Sequence, residues 1–344
     1  MDARLVSDKL LSIALHPIPL LGLGLTDKLK LVFLSLLASF TLPFLLIGDD
    51  SYSRATGVAR RAAPKDITIR TDYGVFFCKT YDDFFTLWPS YEGELRSFFM
   101  CEANLVFMDV GAHAGRYTVM LGREIDRVIA IEPNSENFRG LQRNMELNGL
   151  KNVSLLKYAC WDKSGLGLDL FLSSTTFRHS VTRPQERSEH VETITLDQVL
   201  QDLRIEPTDV GLVKIDAEGA EVQIFKGGKK LFSAGRPRII FESFPQDVAI
   251  KGEILRSYGY RRIRRVGEIN YVAEKWTTYE AFIGRGPSWL TYVRVSWQRT
   301  SLSASVLRQA MIRIEQGRRD CSQVFPEALR LQVTGKLNLV VPKV

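Results

Sequence analysis

From Leu105 onward, short continuous apolar runs alternate with stretches whose apolar residues recur at helical spacing. Leu105–Val110, Val128–Glu132, Val153–Lys157, Val210–Asp216 and Arg238–Ser243 read as buried strands. Arg116–Arg123 predicts a helix after the first of them. After the second, Pro133 and Ser135 open a helix that carries Phe138, Leu141 and Met145 on one face and ends at Gly149. Helical spacing returns over Glu221–Lys226 and Asp247–Tyr258. Strands alternating with helices require right-handed crossovers and a parallel sheet. The last two strands, Arg261–Val266 and Tyr271–Glu274, are separated only by residues 267–270, too few for a helical crossover, so they must pair antiparallel. Extended segments are also expected at Leu166–Leu172 and Val191–Ile194, and Thr195 with Gln198 forms a capping box for a short helix. The pattern predicts an α/β fold: a seven-stranded, mostly parallel sheet closed by a C-terminal antiparallel hairpin.

The regions flanking this pattern differ from it. Ile67–Arg70 and Val75–Cys78 predict two short strands around a turn at Thr71–Gly74, a small cap before the main fold. Upstream, Leu31–Ile47 is an uncharged apolar run of 17 residues, the lower limit for a spanning helix. It is preceded by the apolar piece Leu10–Leu25, which Pro17, Pro19, Gly22 and Gly24 interrupt. Two readings stay open: membrane contact through residues 10–47, or a helix packed on the catalytic domain. Basic residues flank both sides of the run, so charge sets no orientation. A signal peptide is not expected, for want of a small-x-small cleavage site. The expected organisation is an apolar helical region (1–50), a polar linker (51–65), a domain over 66–275 with cap strands in 66–100 and a core in 101–275, and an accessory extension (276–344). In that extension, Leu307, Met311 and Ile314 share a helical face.

Composition refines the picture only slightly. The apolar fraction of 45% in 344 residues is ample for a buried core. The net charge of +7 is spread among interspersed acids, so no nucleic-acid role is expected. The four cysteines are far apart, with no metal spacing, and read as reduced thiols of a cytoplasmic protein; no metal site is expected.

The candidate chemistry sits at the strand ends. The first strand runs into Asp109-Val110-Gly111-Ala112-His113-Ala114-Gly115, a turn whose glycines let a ligand approach the backbone. Its spacing is not the dinucleotide fingerprint. The second strand ends in Ile131-Glu132-Pro133, placing a carboxylate at the neighbouring tip, where a ribose diol would lie.

Together with Ala130-Ile131-Glu132-Pro133, Asn144 through Asn148 and the string Lys214-Ile215-Asp216-Ala217-Glu218-Gly219-Ala220-Glu221, this turn resembles the FkbM-type methyltransferase family. Thr195-Leu196-Asp197 and Ile240-Phe241-Glu242 strengthen the likeness, which covers about residues 66 to 275. The resemblance implies a Rossmann-like class I methyltransferase domain that binds S-adenosylmethionine and transfers its methyl group, typically to oxygen. Carried over by position, it implies that Asp109, Gly111 and Gly115 form the methionine-side loop, that Glu132 binds the ribose, and that Asp162 meets the adenine amino group. His113 stands where the family more often has asparagine, at the pocket mouth.

In-line methyl transfer needs acceptor, carbon and sulfur held in line, and a hydroxyl acceptor also needs a base. Asp216 is the first candidate, with Glu218, Glu242 and His113 behind it. Asp216 and Glu218 could ligate magnesium, but the sequence offers no third oxygen. His179 lies where a substrate loop would fall, though the nearby arginines also suit a solvated basic face. The expected acceptor is a hydroxyl on a sugar, a lipid-linked glycan or a small metabolite. The alternatives are an NAD-dependent oxidoreductase, or a non-catalytic membrane-associated scaffold that keeps the fold. Because the cofactor is made in the cytosol, the catalytic domain is expected there, with or without attachment to the cytoplasmic face of a membrane.

Overall fold

The computed structural model describes residues 21–45, 57–87, 92–99, 101, 104–173, 176, 178–235, 237–275, 278–283 and 291–296. The chain divides into two units, 1–275 and 276–344.

In the first unit, helix α1 (Leu25–Leu45) precedes the hairpin of β1 (Ile67–Arg70) and β2 (Val75–Cys78). One face of α1 packs there: Leu31 and Leu34 are buried with Ile67, Ile69 and Phe76. The Thr68 amide donates to Asp27 Oδ1 (3.2 Å), and Lys30 Nζ donates to the carbonyls of Lys65 and Asp66 (both 2.9 Å). Among the described residues no helix is long and apolar enough to cross a membrane. Within the segment that reads as a linker, residues 57–62 are helical and Ala59 is buried. A short helix α2 (Tyr81–Thr86) follows β2.

The core alternates as its sequence pattern dictates: β3 (Val106–Val110), α3 (Arg116–Gly122), β4 (Arg127–Ile131), α4 (Ser135–Leu147), β5 (Val153–Leu156). Asn134 caps α4 by accepting from the amides of Glu136 and Asn137. Next come β6 (Ala159–Cys160), β7 (Gly167–Phe171) and β8 (Ser188–Ile194), which form a separate three-stranded sheet in the order β6-β8-β7. Thr195 caps α5 (Leu196–Asp202) through the Gln198 amide, as expected. Then follow β9 (Val210–Ile215), α6 (Glu221–Gly227), α7 (Lys229–Ala234), β10 (Arg238–Glu242), α8 (Val248–Ser257), β11 (Arg262–Val266) and β12 (Asn270–Glu274).

The main sheet has seven strands in the order β11-β12-β10-β9-β3-β4-β5. β3 pairs parallel with both β4 and β9, whereas β12 runs antiparallel between β10 and β11. Strand order therefore reverses at β3, and a crevice opens at the carboxyl ends of β3, β4 and β9, where ligands of open α/β sheets bind. Aromatic side chains fill one face: Phe225 meets Phe232 and Phe241 edge-on, with centroids 5.8 and 5.4 Å apart. Helix α7 does not show in the sequence pattern. Its amides at Lys230 and Leu231 are capped from a distance by the Asp197 carboxylate (2.8 and 2.9 Å), which gives the Thr195-Leu196-Asp197 string a structural task.

The second unit contains an antiparallel pair, β13 (Thr278–Ile283) and β14 (Thr291–Ser296), in register from Thr278↔Ser296 to Ile283↔Thr291. The helix expected around Leu307, Met311 and Ile314 lies outside the described residues.

Candidate active site

A cleft of about 1040 Å³, open to solvent, occupies the crevice. The turn after β3 is stitched to the next strand, because the amides of Gly111 and Ala112 both donate to the Ile131 carbonyl (2.9 and 3.1 Å). Gly111 has φ +78°, and a Cβ there would lie 1.8 Å from the Asp216 carbonyl oxygen, so only glycine lets the β3 and β9 tips come so close. Gly115 plays a different part. It caps α3 with φ +86°, its Cβ would strike Leu141, and it does not line the cleft. His113 has φ +49°, a left-handed conformation in which asparagine and histidine are enriched among non-glycine residues. That shared tolerance accounts for histidine standing where asparagine is commoner.

Glu132 lines the cleft and is buried. Its Oε2 accepts from the His113 amide (2.9 Å) and its Oε1 from the Asn134 amide (3.0 Å). Burial pushes its pKa up to about 7, against the pull of those two amides and the Asn137 side chain. Asp109 lies behind the wall rather than in it. It is 1% exposed, Thr118 Oγ1 donates to its Oδ2 (2.6 Å), and its Oδ1 has no partner among the described residues. Burial raises its pKa, opposed mainly by the Lys214 ammonium. Asp162 does not line the cleft either. The chain turns at Trp161 and Asp162 against Gly227, whose Cβ would meet the Trp161 carbonyl at 2.0 Å, and the cleft wall is made instead by Tyr158, Ala159 and Cys160.

Carboxylate oxygens of Asp216, Glu218 and Glu242 come within 4.8 Å of one another at the tips of β9 and β10. The third oxygen that Asp216 and Glu218 lack in the sequence is thus supplied by Glu242. Two of the three charges already have cations: Lys214 Nζ bonds Asp216 Oδ2 (3.0 Å) and Arg183 bonds Glu218 (3.0 Å). Burial pulls the Lys214 ammonium down, but Asp216, Asp109 and Glu92 outweigh it and hold its pKa above the ordinary value. Burial, then repulsion from Asp216, raises Glu218 to about 7, and the same two causes push Glu242 well above the carboxylate range.

The turn that presents this cluster is locked from below. Glu221 accepts from the Ala217 and Gly219 amides with one oxygen (3.3 and 3.1 Å) and binds Lys251 with the other (2.9 Å), both side chains being buried. Much of the Lys214–Glu221 string is therefore a scaffold for two carboxylates.

Several lining residues carry no sequence signal. Glu92 accepts from the Tyr117 hydroxyl and from Asn270 Nδ2 (3.2 Å), and Arg116 donates to the Thr86 carbonyl (2.6 Å). Thr176 lies near His113 Nε2 (3.0 Å), and its carbonyl accepts from Asn137 (3.0 Å). His179 does line the cleft, its Nδ1 accepting from the Ser173 amide (3.0 Å), and burial lowers its pKa as it does that of His113.

Residues 109–262 match the family described as Methyltransferase FkbM domain. The chain carries an FkbM-type methyltransferase domain. The enzyme is an S-adenosylmethionine-dependent methyltransferase, and the nicotinamide alternative falls away. The methyltransferase has no match among curated proteins. It is similar to a solved FkbM methyltransferase of Methylobacillus flagellatus KT, with 14% identity, 77% of this chain and 58% of that one covered, and a TM-score of 0.37. It is also similar to a precorrin-6y C5,15-methyltransferase of Geobacter metallireducens (15% identity, 62% and 91% covered, TM-score 0.35). A third is TYW2 of M. jannaschii, solved in complex with AdoMet (15% identity, 61% and 85% covered, TM-score 0.35).

The cleft of the methyltransferase suits its cofactor chemically. Asp109, just behind the wall, puts a carboxylate whose Oδ1 has no donor among the described residues beneath the turn, a charge that favours an ammonium group in the cleft. The cradle at Gly111, which a Cβ would fill, suits close approach to the backbone.

Proposed function

We propose that the enzyme transfers a methyl group from S-adenosylmethionine to a hydroxyl oxygen of a sugar, a lipid-linked glycan or a small metabolite, on the cytosolic side and at or near a membrane. The observation that carries this reading is the convergence of the Asp216, Glu218 and Glu242 carboxylates in the cleft that also holds the Gly111 turn and Glu132.

When bound, the cofactor supplies an electrophilic methyl group on a sulfonium. Asp109, from behind the wall, would favour its ammonium by charge, Gly111 would let the backbone approach, and Glu132 would accept from the ribose hydroxyls. Asp216 is bonded to the buried Lys214 ammonium, which fixes its carboxylate at the tip of β9. Glu218 would take the acceptor's hydroxyl proton as that oxygen displaces the sulfur from the methyl carbon, since its pKa of about 7 matches a base working near neutrality. Glu242, third member of the carboxylate cluster, positions the acceptor oxygen through a hydrogen bond. Holding three groups in line contributes more to rate than proton removal does.

Incubating the enzyme with methyl-labelled cofactor and fractionated cell extract tests the reading. Label in an alkali-stable, ether-linked methyl group is the expected outcome. Label only on nitrogen, or as an alkali-labile ester, would overturn the hydroxyl assignment.

A further inference from the structure

Helix α1 is apolar on both sides, and among the described residues only one side is covered. Opposite the buried Leu31 and Leu34, the side chains of Leu25, Leu29, Val32, Phe33 and Leu36 form a stripe at helical spacing; Leu25, Leu29 and Leu36 are 76%, 62% and 63% exposed. Scattered exposed leucines are ordinary, but five large apolar side chains in one stripe mark an interaction surface.

The charges around the stripe decide what it meets. The one acid of α1, Asp27, accepts from the Thr68 amide on the hairpin side, so the helix brings no negative charge to the exposed face. Lys28 is exposed at its border. Exposed Arg61 and Lys65 belong to the segment tied to α1 through Lys30 Nζ, and the whole chain carries +7. A large apolar face bordered by Lys28, on a helix whose other side packs on the hairpin, is the composition of a helix lying at a membrane surface. A second copy of the same face would bring no acid from α1 to meet Lys28.

We propose that α1 lies in the plane of an anionic membrane surface, its Leu25–Leu36 stripe sunk to the boundary of headgroups and acyl chains while its Leu31–Leu34 side holds the catalytic unit. This attachment makes lipid-linked acceptors the substrates closest at hand. It does not depend on the assignment of the reaction, since lipid binding and methyl transfer are measured separately.

The test is flotation of the full chain with vesicles of phosphatidylcholine alone and of phosphatidylcholine mixed with phosphatidylglycerol. The wild type is expected to float with the mixed vesicles, less with phosphatidylcholine, and less at high salt. Phe33→Glu combined with Leu36→Glu is expected to lower partitioning about tenfold or more, since each places a charge where apolar area was buried. Lys28→Glu is expected to weaken only the anionic preference. Calorimetric binding of S-adenosylmethionine by each variant shows that the fold survives. Three results would each overturn the proposal: a wild type that floats with neither vesicle, a double variant that floats as well as wild type, or a lipid-indifferent wild-type dimer that the double variant splits, which would assign the stripe to a second copy.

Discussion

The main-chain nitrogen of His113 donates to the Glu132 carboxylate at 2.9 Å, so the turn after β3 and the acid after β4 are built as one piece. The same carboxylate holds the Asn134 amide that begins α4. One buried acid therefore shapes the glycine turn, the entry to a helix and the place where a ribose would sit.

That arrangement makes cofactor binding depend on pH. The folded pKa of Glu132, about 7, lies above its ordinary 4.5, so the stability it lends is complete below pH 4.5 and is lost as pH rises through about 7. Its acceptor strength runs the other way, because in the proposed site the ionised form would accept from both ribose hydroxyls. Affinity for S-adenosylmethionine should climb as pH rises through about 7 while the ligand-free protein loses stability over the same window. Glu132→Gln should flatten the affinity profile and weaken binding about tenfold at neutral pH. Calorimetric titration across the range measures both, and a flat wild-type profile would remove Glu132 from the ribose site.

Asp109 yields a prediction in which stability and binding separate. Its Oδ1 is buried without a donor, a cost to the empty fold that an ammonium would relieve. Asp109→Asn keeps the shape and removes the buried charge. The variant should melt no lower than wild type, yet bind S-adenosylmethionine about tenfold or more weakly, which amounts to losing a charge-assisted hydrogen bond. Thermal melts with and without cofactor check this: a lower melting temperature together with unaltered affinity would make Asp109 purely structural.

How much of this was legible beforehand follows from the kind of force involved. The central strands β3, β4, β9 and β10 show as apolar runs, because strands buried on both faces admit little else, and the antiparallel closure follows from a four-residue gap no helix can bridge. Gly111 and Glu132 stand out because a turn and a strand end are local features. That Asp162 lies off the cleft lining does not show in the sequence, because Gly227, far along the chain, is what lets Trp161 pack close there. Glu92, Arg116 and Thr176 reach the cleft from the cap, from α3 and from a loop, through contacts between distant segments that no local pattern encodes. Helix α7 stayed hidden for a related reason, since its cap arrives from Asp197.

The proton-accepting role of Glu218 predicts the pH dependence of turnover. The base must be ionised, and repulsion by Asp216 together with burial places its titration at about 7, so kcat should rise through that pH and level off above it. Glu218→Gln should abolish the limb and lower kcat by roughly 10²–10⁴-fold, with little change in cofactor affinity. Arg183→Met should shift the limb upward, because it removes the guanidinium that favours the charged form. A limb that persists unchanged in the glutamine variant would transfer the role to another group.

The attachment of the cap to the core makes the last prediction, and it concerns Asn144. This buried side chain completes the edge of β2: its Oδ1 accepts from the Phe77 amide (2.7 Å) and its Nδ2 donates to the Ala114 carbonyl (2.8 Å) inside the glycine turn. One amide thus links the hairpin, α4 and the glycine turn. Replacing it with leucine, close in size, leaves a buried donor and a buried acceptor unpaired, at a cost of about 1–3 kcal/mol each. Asn148, which accepts from the Val75 amide (2.9 Å) one turn further along α4, sustains the hairpin in part, so the cap should loosen before the sheet does. Hydrogen exchange should therefore show Phe77 and its β1 partner Thr68 losing protection in Asn144→Leu while Phe107 and Ile129 keep theirs. Uniform loss of protection across both sheets would mean that cap and core unfold as a single unit, and that the amide is not the joint between them.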